Sequence, residues 1–249
     1  MSTGPIADRF DAHRAGTCAK ARKTQPIVTV PVAVLFDLDG TLIDSIELIV
    51  RSFEHATATH LPAPLGREHI LPTIGLSLID TLEEIAPGKG ADLLLTYRAF
   101  LQTHHDALIA GYDGVTELLD GLAARKLPLG IVTSKAMVSA APSLRRFGLT
   151  AWMATIVTHD DTERHKPHPD PLLLAAARLN VSPASCWYVG DSPHDLRAAR
   201  AAGMMAIGAA WGPFVRTDLV PLADALADTP GDVLRLFDAV QHRRQEQAQ

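Results

Sequence analysis

The run Val32–Phe36 is apolar and passes without a break into Asp37-Leu38-Asp39-Gly40-Thr41. A strand that ends in two carboxylates has to end where something compensates them, because an unpaired carboxylate is costly to bury. With the chain extended, residues two apart face the same side, so Asp37 and Asp39 project together. The strand must therefore open onto a crevice.

Four further apolar runs have the length of strands: Leu127–Val132, Thr155–Thr158, Cys186–Val189 and Met205–Ile207. Most lack alternation, the pattern of parallel strands covered on both faces. Helical stripes lie between them. Val115, Leu118, Leu119 and Leu122 share one face. Met137–Phe147 is stopped by Gly148 and contains Pro142, which removes a hydrogen bond. Pro171–Leu179 and His194–Ala202 follow, the latter ended by Gly203. Strand–helix alternation of this kind predicts an α/β fold with a doubly wound, Rossmann-like parallel sheet and right-handed crossovers, over residues 31–44 and 113–240.

Between Asp44 and Asp113 there is no convincing strand, only helical patterns near Ile46–Thr59, Leu78–Ala86 and Ala91–Ile109. About 70 residues is far too long for a βα crossover in a compact sheet. Residues 45–112 are therefore expected to form an all-helical subdomain inserted after the first strand.

Composition narrows the function classes. The chain has 249 residues, long enough for a sizeable core, and 47% hydrophobic with 5% aromatic residues implies an Ala/Leu/Val-rich interior. Twenty-three basic against 28 acidic residues leave a net charge of −5, which argues against a nucleic-acid partner. Cys18 and Cys186 form no CxxC pattern, so a disulfide framework is not expected and a reducing, cytoplasmic location fits. No apolar run reaches the roughly 18 residues of a membrane span. Residues 1–30 read as a flexible N-terminal extension, with a basic transit peptide the alternative, and residues 241–249 as a frayed polar tail. A monomer and a homodimer are both open.

Strands of such a sheet present their carboxyl ends to the ligand crevice. The first ends in Asp37 and Asp39, the second in Thr133-Ser134-Lys135, and Lys166 follows the third. The fourth ends in Gly190-Asp191-Ser192-Pro193-His194-Asp195. Singly, each has an ordinary explanation as a helix cap, a turn former or a solvated charge. Together they gather carboxylates, hydroxyls and an ammonium at one edge. Grouped carboxylates repel unless a cation joins them, and hard oxygen ligands suit Mg²⁺. A magnesium site with a lysine and hydroxyl donors is what phosphoryl transfer requires.

The ordered set "DLDGTL", "VTSK", "HKP" and "VGDSPHD" resembles the haloacid dehalogenase superfamily of aspartate-dependent phosphotransferases, over roughly residues 31–230. "KPHPDPL" and "VGDSPHDLRAARAAG" resemble its phosphoglycolate phosphatase-like branch, whose helical cap sits where the inserted segment lies. The resemblance implies that Asp37 is a nucleophile forming an aspartyl-phosphate and Asp39 the general acid–base. It implies Mg²⁺ held by the Asp37 carboxylate, the Asp39 carbonyl and Asp191, with Asp195 in support. Thr133, the Ser134 N–H and Lys166 would bind phosphoryl oxygens, and Gly40 would let the backbone approach them. Thr41 is either a helper or a turn residue. Asp44 and Ser45 read as caps of the first inserted helix. In the loop "PTIGLSL", Gly75 allows a tight turn toward the site and Ser77 reads as a helix cap. Sugar phosphomutases of the family carry an arginine where Leu78 stands.

These features predict a Mg²⁺-dependent phosphatase acting on a small phosphorylated metabolite, for example 2-phosphoglycolate. An inorganic pyrophosphatase, a sugar phosphomutase and a non-catalytic phospho-ligand sensor are the alternatives. No P-loop or GxGxxG is present.

Overall fold

The computed structural model describes residues 29–247. Cys18 and most of the expected N-terminal extension lie outside the described residues. Within that extension Thr29 is anchored, its carbonyl accepting a 3.1 Å hydrogen bond from Trp187 Nε1.

The chain enters as β1 (Ala33–Phe36), turns through β2 (Ile43–Asp44), and then forms four helices, α1 (Ile46–His60), α2 (Arg67–Ile70), α3 (Leu78–Ile85) and α4 (Gly90–His104). It returns through β3 (Ala110–Gly111). From there strands and helices alternate: α5 (Val115–Ala124), β4 (Leu129–Val132), α6 (Met137–Arg146), β5 (Met153–Val157) and α7 (Asp170–Arg178). Next come β6 (Cys186–Gly190), α8 (Pro193–Ala201), β7 (Met205–Ala209), α9 (Arg216–Leu219), β8 (Ala225–Ala227) and α10 (Pro230–Gln247).

Six strands form one parallel sheet in the order β5-β4-β1-β6-β7-β8. All four residues of β1 are fully buried, as the apolar run requires of a central strand. Alternate β1 side chains face opposite layers. Val34 and Phe36 pack in a cluster with Leu118, Leu122, Phe237 and Val240 of α5 and α10. Ala33 and Leu35 pack with Leu172, Ala175, Leu196 and Ala199 of α7 and α8. The chain builds outward from β1 through β4 and β5, then crosses back to lay β6 on the other side. That reversal at β1 is the switch point where doubly wound sheets open a crevice at their carboxyl ends.

The helices α1–α4 bury a core of their own, with Leu48, Phe53, Leu82, Leu93 and Leu101 at its centre. The two segments that connect it to the sheet pair with each other as an antiparallel ribbon, Ile43 opposite Gly111 and Asp44 opposite Ala110. Neither strand of the ribbon was foreseen, since two residues carry no periodicity. The Ala-rich β8 was missed for the same reason.

Two expectations are corrected. The tail expected to fray from residue 241 continues α10 to Gln247. It contains no glycine or proline, and His242 Nε2 lies 3.3 Å from Glu246 one turn on. The third helical pattern in the insert ends at His104, and residues His105–Ala107 tighten into a 3₁₀ turn. Among the described residues, no helix is long and apolar enough to cross a membrane.

Candidate active site

Asp37 is the first residue beyond β1, and its N–H still donates to Val189 O of β6 at 2.9 Å. Its carboxylate is buried and its Oδ1 accepts a 2.7 Å hydrogen bond from Lys166 Nζ. Lys166 has a fully buried side chain and donates equally to Asp195 Oδ1 at 2.7 Å. Tyr188 OH and Val132 O complete its surroundings at 3.2 and 3.4 Å. Burial alone would pull the Lys166 ammonium down, but Asp195 and Asp37 outweigh it and hold it above the ordinary lysine value. Burial pushes Asp37 up to about 7; Lys166 opposes this, while Asp195 and Asp39 add repulsion.

Asp39, two residues on, has a different partner. The two aspartates, expected to face one crevice together, are divided between two lysines. Asp39 Oδ1 accepts from Lys135 Nζ at 2.5 Å and from Ser45 Oγ. The sequence pattern assigns Lys135 no role of its own, although it ends the strand-terminal run Thr133-Ser134-Lys135. Ser45 was expected to cap α1. It occupies the N-cap position but makes no cap hydrogen bond, because its hydroxyl is turned into the site.

Asp191 follows β6 and is almost completely buried. Its Oδ1 accepts from Thr41 Oγ1 at 2.7 Å, so Thr41 is a partner of the carboxylate as well as a turn residue. Among the described residues its Oδ2 is buried with no hydrogen-bond partner. Burial, with repulsion from Asp195 and Asp37, raises the Asp191 carboxyl far above the usual carboxylate range, the Thr41 bond opposing. Asp37, Asp191 and Asp195 each offer an oxygen within 4.8 Å of the others. This donor set fits a hard divalent cation: oxygen ligands only, one orphaned oxygen, and three carboxylates that share the single ammonium of Lys166. Two glycines make the room. Gly40 has φ +89° and a Cβ there would lie 2.5 Å from Asp191 Oδ2. A Cβ at Gly212, in the "AAWG" segment, would collide with Asp191 Cβ and lie 2.8 Å from Gly40 O. The close approach that Gly40 permits is thus to Asp191. A Gly40→Ala change is expected to cost roughly 1–3 kcal/mol through its backbone conformation alone, read as a lower urea midpoint. An unchanged midpoint would refute the argument.

Asp195 contacts Lys166 and not Asp191. Its Oδ2 accepts from Ser192 N and Oγ at 3.1 and 2.6 Å, a capping box at the start of α8, and its Oδ1 accepts from Lys166 and Tyr188 OH. Burial would raise its carboxyl, but Lys166 and Ser192 hold it below the usual value. Asp195 therefore positions Lys166 and the turn that carries Asp191. Tyr188 lies within a buried apolar run, so nothing in the sequence distinguished it from core.

Thr133 directly follows β4 and is buried; its N–H donates to Val157 O at 2.9 Å. Ser134 reaches across to the helical insert, its Oγ donating to Gly75 O at 2.6 Å. Two histidines make parallel connections, His159 Nε2 to Ser77 Oγ at 3.1 Å and His194 Nε2 to Pro72 O at 3.1 Å. Ser77 thus occupies the expected N-cap position of α3 but makes no side-chain cap hydrogen bond, its hydroxyl serving the contact with the sheet domain. Gly75, with φ +94°, makes the expected tight turn over the strand ends. A cavity of about 90 Å³ lies beneath it, with Asp37, Asp39, Thr133 and Lys135 on the sheet side and Tyr97 and Arg98 of α4 on the other.

Residues 34–209 match the family model of the haloacid dehalogenase-like hydrolases. The chain is 42% identical over 178 residues to pyrophosphatase PpaX of Bacillus pumilus, covering 72% of this chain and 82% of that protein. It is 41% identical over 179 residues to PpaX of Bacillus velezensis, covering 72% and 83%. Among solved structures it resembles a hydrolase from Pseudomonas syringae, with 28% identity, a TM-score of 0.76, and 84% and 98% of the two chains covered. A Lactobacillus plantarum protein, provisionally designated a phosphoglycolate phosphatase, superposes with a TM-score of 0.74 at 28% identity, over 84% and 100%. The chain belongs to the haloacid dehalogenase-like hydrolases. Its enzyme class is that of a phosphatase, which implies a small phosphorylated substrate.

Proposed function

We propose that this chain is a Mg²⁺-dependent phosphohydrolase that works through an aspartyl-phosphate on Asp37, with inorganic pyrophosphate as its substrate. The observation that carries the chemistry is the division of the two aspartates between two lysines. Asp37 is held by Lys166 at 2.7 Å and Asp39 by Lys135 at 2.5 Å, so two adjacent carboxylates have separate environments and can take separate roles. The preference for pyrophosphate rests on the PpaX relatives. The likeness to the Lactobacillus plantarum structure supports 2-phosphoglycolate as a second reading.

In the first step an Asp37 oxygen bonds to phosphorus while the bond from phosphorus to the leaving oxygen breaks, and Asp39 gives that oxygen its proton. In the second, water attacks the same phosphorus, Asp39 takes a proton from it, and the bond to Asp37 breaks. Both carboxyl groups return to their starting states. Thr133, the Ser134 N–H and Lys166 hold the equatorial phosphoryl oxygens. The Asp37 and Asp191 carboxylates and the Asp39 carbonyl would hold Mg²⁺, which supplies charge compensation for the phosphoryl group when bound. The contacts of Ser134, His159 and His194 keep the helical insert seated over the strand ends, which excludes water from the reacting centre.

The test is phosphate release from pyrophosphate, 2-phosphoglycolate and p-nitrophenyl phosphate, with Mg²⁺ and with excess chelator. Turnover that chelator leaves intact would overturn the metal assignment, and no release from any of them would overturn the hydrolase. Asp39→Asn is expected to slow turnover about 10²- to 10⁴-fold and to let phosphoenzyme accumulate, detectable by mass spectrometry of quenched protein. Full activity in that variant would remove Asp39 from proton transfer.

A further inference from the structure

Lys135 and Arg98 line the cavity and Lys166 stands behind Asp37, and two of these three cations are neutralised. Lys135 is paired with Asp39 and Lys166 with Asp37 and Asp195. The third, Arg98, comes from α4 of the helical insert and lines the cavity opposite the catalytic carboxylates. Among the described residues no carboxylate lies within ion-pairing distance of it, and its Nε is buried with no hydrogen-bond partner. A buried donor left unsatisfied is costly, more so when charged, so Arg98 Nε calls for a partner that arrives with the ligand. The surroundings favour an anion. Leu94, Leu101, Ile49 and Phe53 line the same side, and the acidic residues that line the cavity, Asp37 and Asp39, already have their lysines. The space is small: about 90 Å³, against roughly 300–1,000 Å³ for pockets that take drug-sized ligands.

We propose that Arg98 receives the second anionic group of a compact substrate and thereby selects phosphates that carry one. This rests on the proposed hydrolase reading and names the residue that decides its specificity. In pyrophosphate the group is the leaving phosphoryl group; in 2-phosphoglycolate it is the carboxylate. Either presents two coplanar oxygens to the guanidinium fork, while an aryl phosphate offers nothing there.

The experiment compares wild type, Arg98→Gln and Arg98→Lys in two ways. In steady-state kinetics, the ratio of kcat/KM for pyrophosphate to that for p-nitrophenyl phosphate is expected to fall about 10- to 150-fold in Arg98→Gln, the value of one charged hydrogen-bonded contact. Arg98→Lys is expected to recover part of the loss, since it restores charge without the fork. A loss for 2-phosphoglycolate but not for pyrophosphate assigns the carboxylate as the partner and keeps the role of Arg98. In calorimetry, methylenediphosphonate is expected to bind Arg98→Gln more weakly by a similar factor, and inorganic phosphate to lose much less. An unchanged substrate ratio with unchanged diphosphonate affinity overturns the proposal. Should wild type release phosphate from none of the three compounds, the hydrolase reading fails. The diphosphonate titration then still decides whether Arg98 holds a second anion.

Discussion

Asp37→Asn is expected to lower phosphate release by roughly 10⁴-fold or more, since on the proposed aspartyl-phosphate route it removes the nucleophile and not merely a contact. The amide matches the carboxylate in size but cannot attack phosphorus to leave an acyl-phosphate. Stability is expected to hold or rise. The wild-type carboxyl is buried near Asp39 and Asp195, and burial with that repulsion already pushes its proton affinity up to about 7. Removing the charge relieves both costs, the usual direction of the trade between activity and stability at a working site. Initial rates measured beside urea unfolding check this. Turnover above about one hundredth of wild type, in a folded variant, would be incompatible with Asp37 as the nucleophile.

Lys166→Met is expected to be the most damaging single change to stability. Its ammonium is the shared partner of Asp37 and Asp195, both at 2.7 Å, with no solvent contact along the side chain. Methionine fills similar space but leaves two buried carboxylates facing each other. Removing one partner of a buried ionic group costs about 3–5 kcal/mol, a large part of the 5–15 kcal/mol that holds a typical domain together. Adding Asp195→Asn to Lys166→Met is expected to recover part of that loss, because it removes one of the stranded charges. Denaturant titrations of the two single variants and the double variant measure the coupling. If the Lys166→Met midpoint stays within the scatter of wild type, the lysine does not hold the carboxylates.

Much of this was legible along the chain. Apolar runs without alternation marked the central strands, and glycines marked the ends of α6 and α8, with Gly148 at φ +61° and Gly203 at φ +72°. The polar residues directly after β1, β4 and β6 are the ones the sheet brings to one edge. The absence of any strand signal between residues 44 and 113 anticipated the separate helical core. Short elements escaped, as β2, β3 and β8 have two or three residues and no period to detect.

The partners inside the site were not legible. Lys135 and Lys166 each stand near a strand end, and nothing local says which carboxylate each will meet. Ser45 looked like a helix cap because serine before an apolar helical stripe usually is one, and only the fold turned its hydroxyl to Asp39. Tyr188 and Arg98 carry no motif at all. The sequence by itself determined the layers, the strand ends and the kind of chemistry, because periodicity, glycine and runs of acid and base act over a few residues. Only the tertiary structure decided which cation neutralises which carboxylate, and that among the described residues Arg98 is left with none. Those pairings join residues of separate elements, and the packing of the sheet and the helical insert sets their distances.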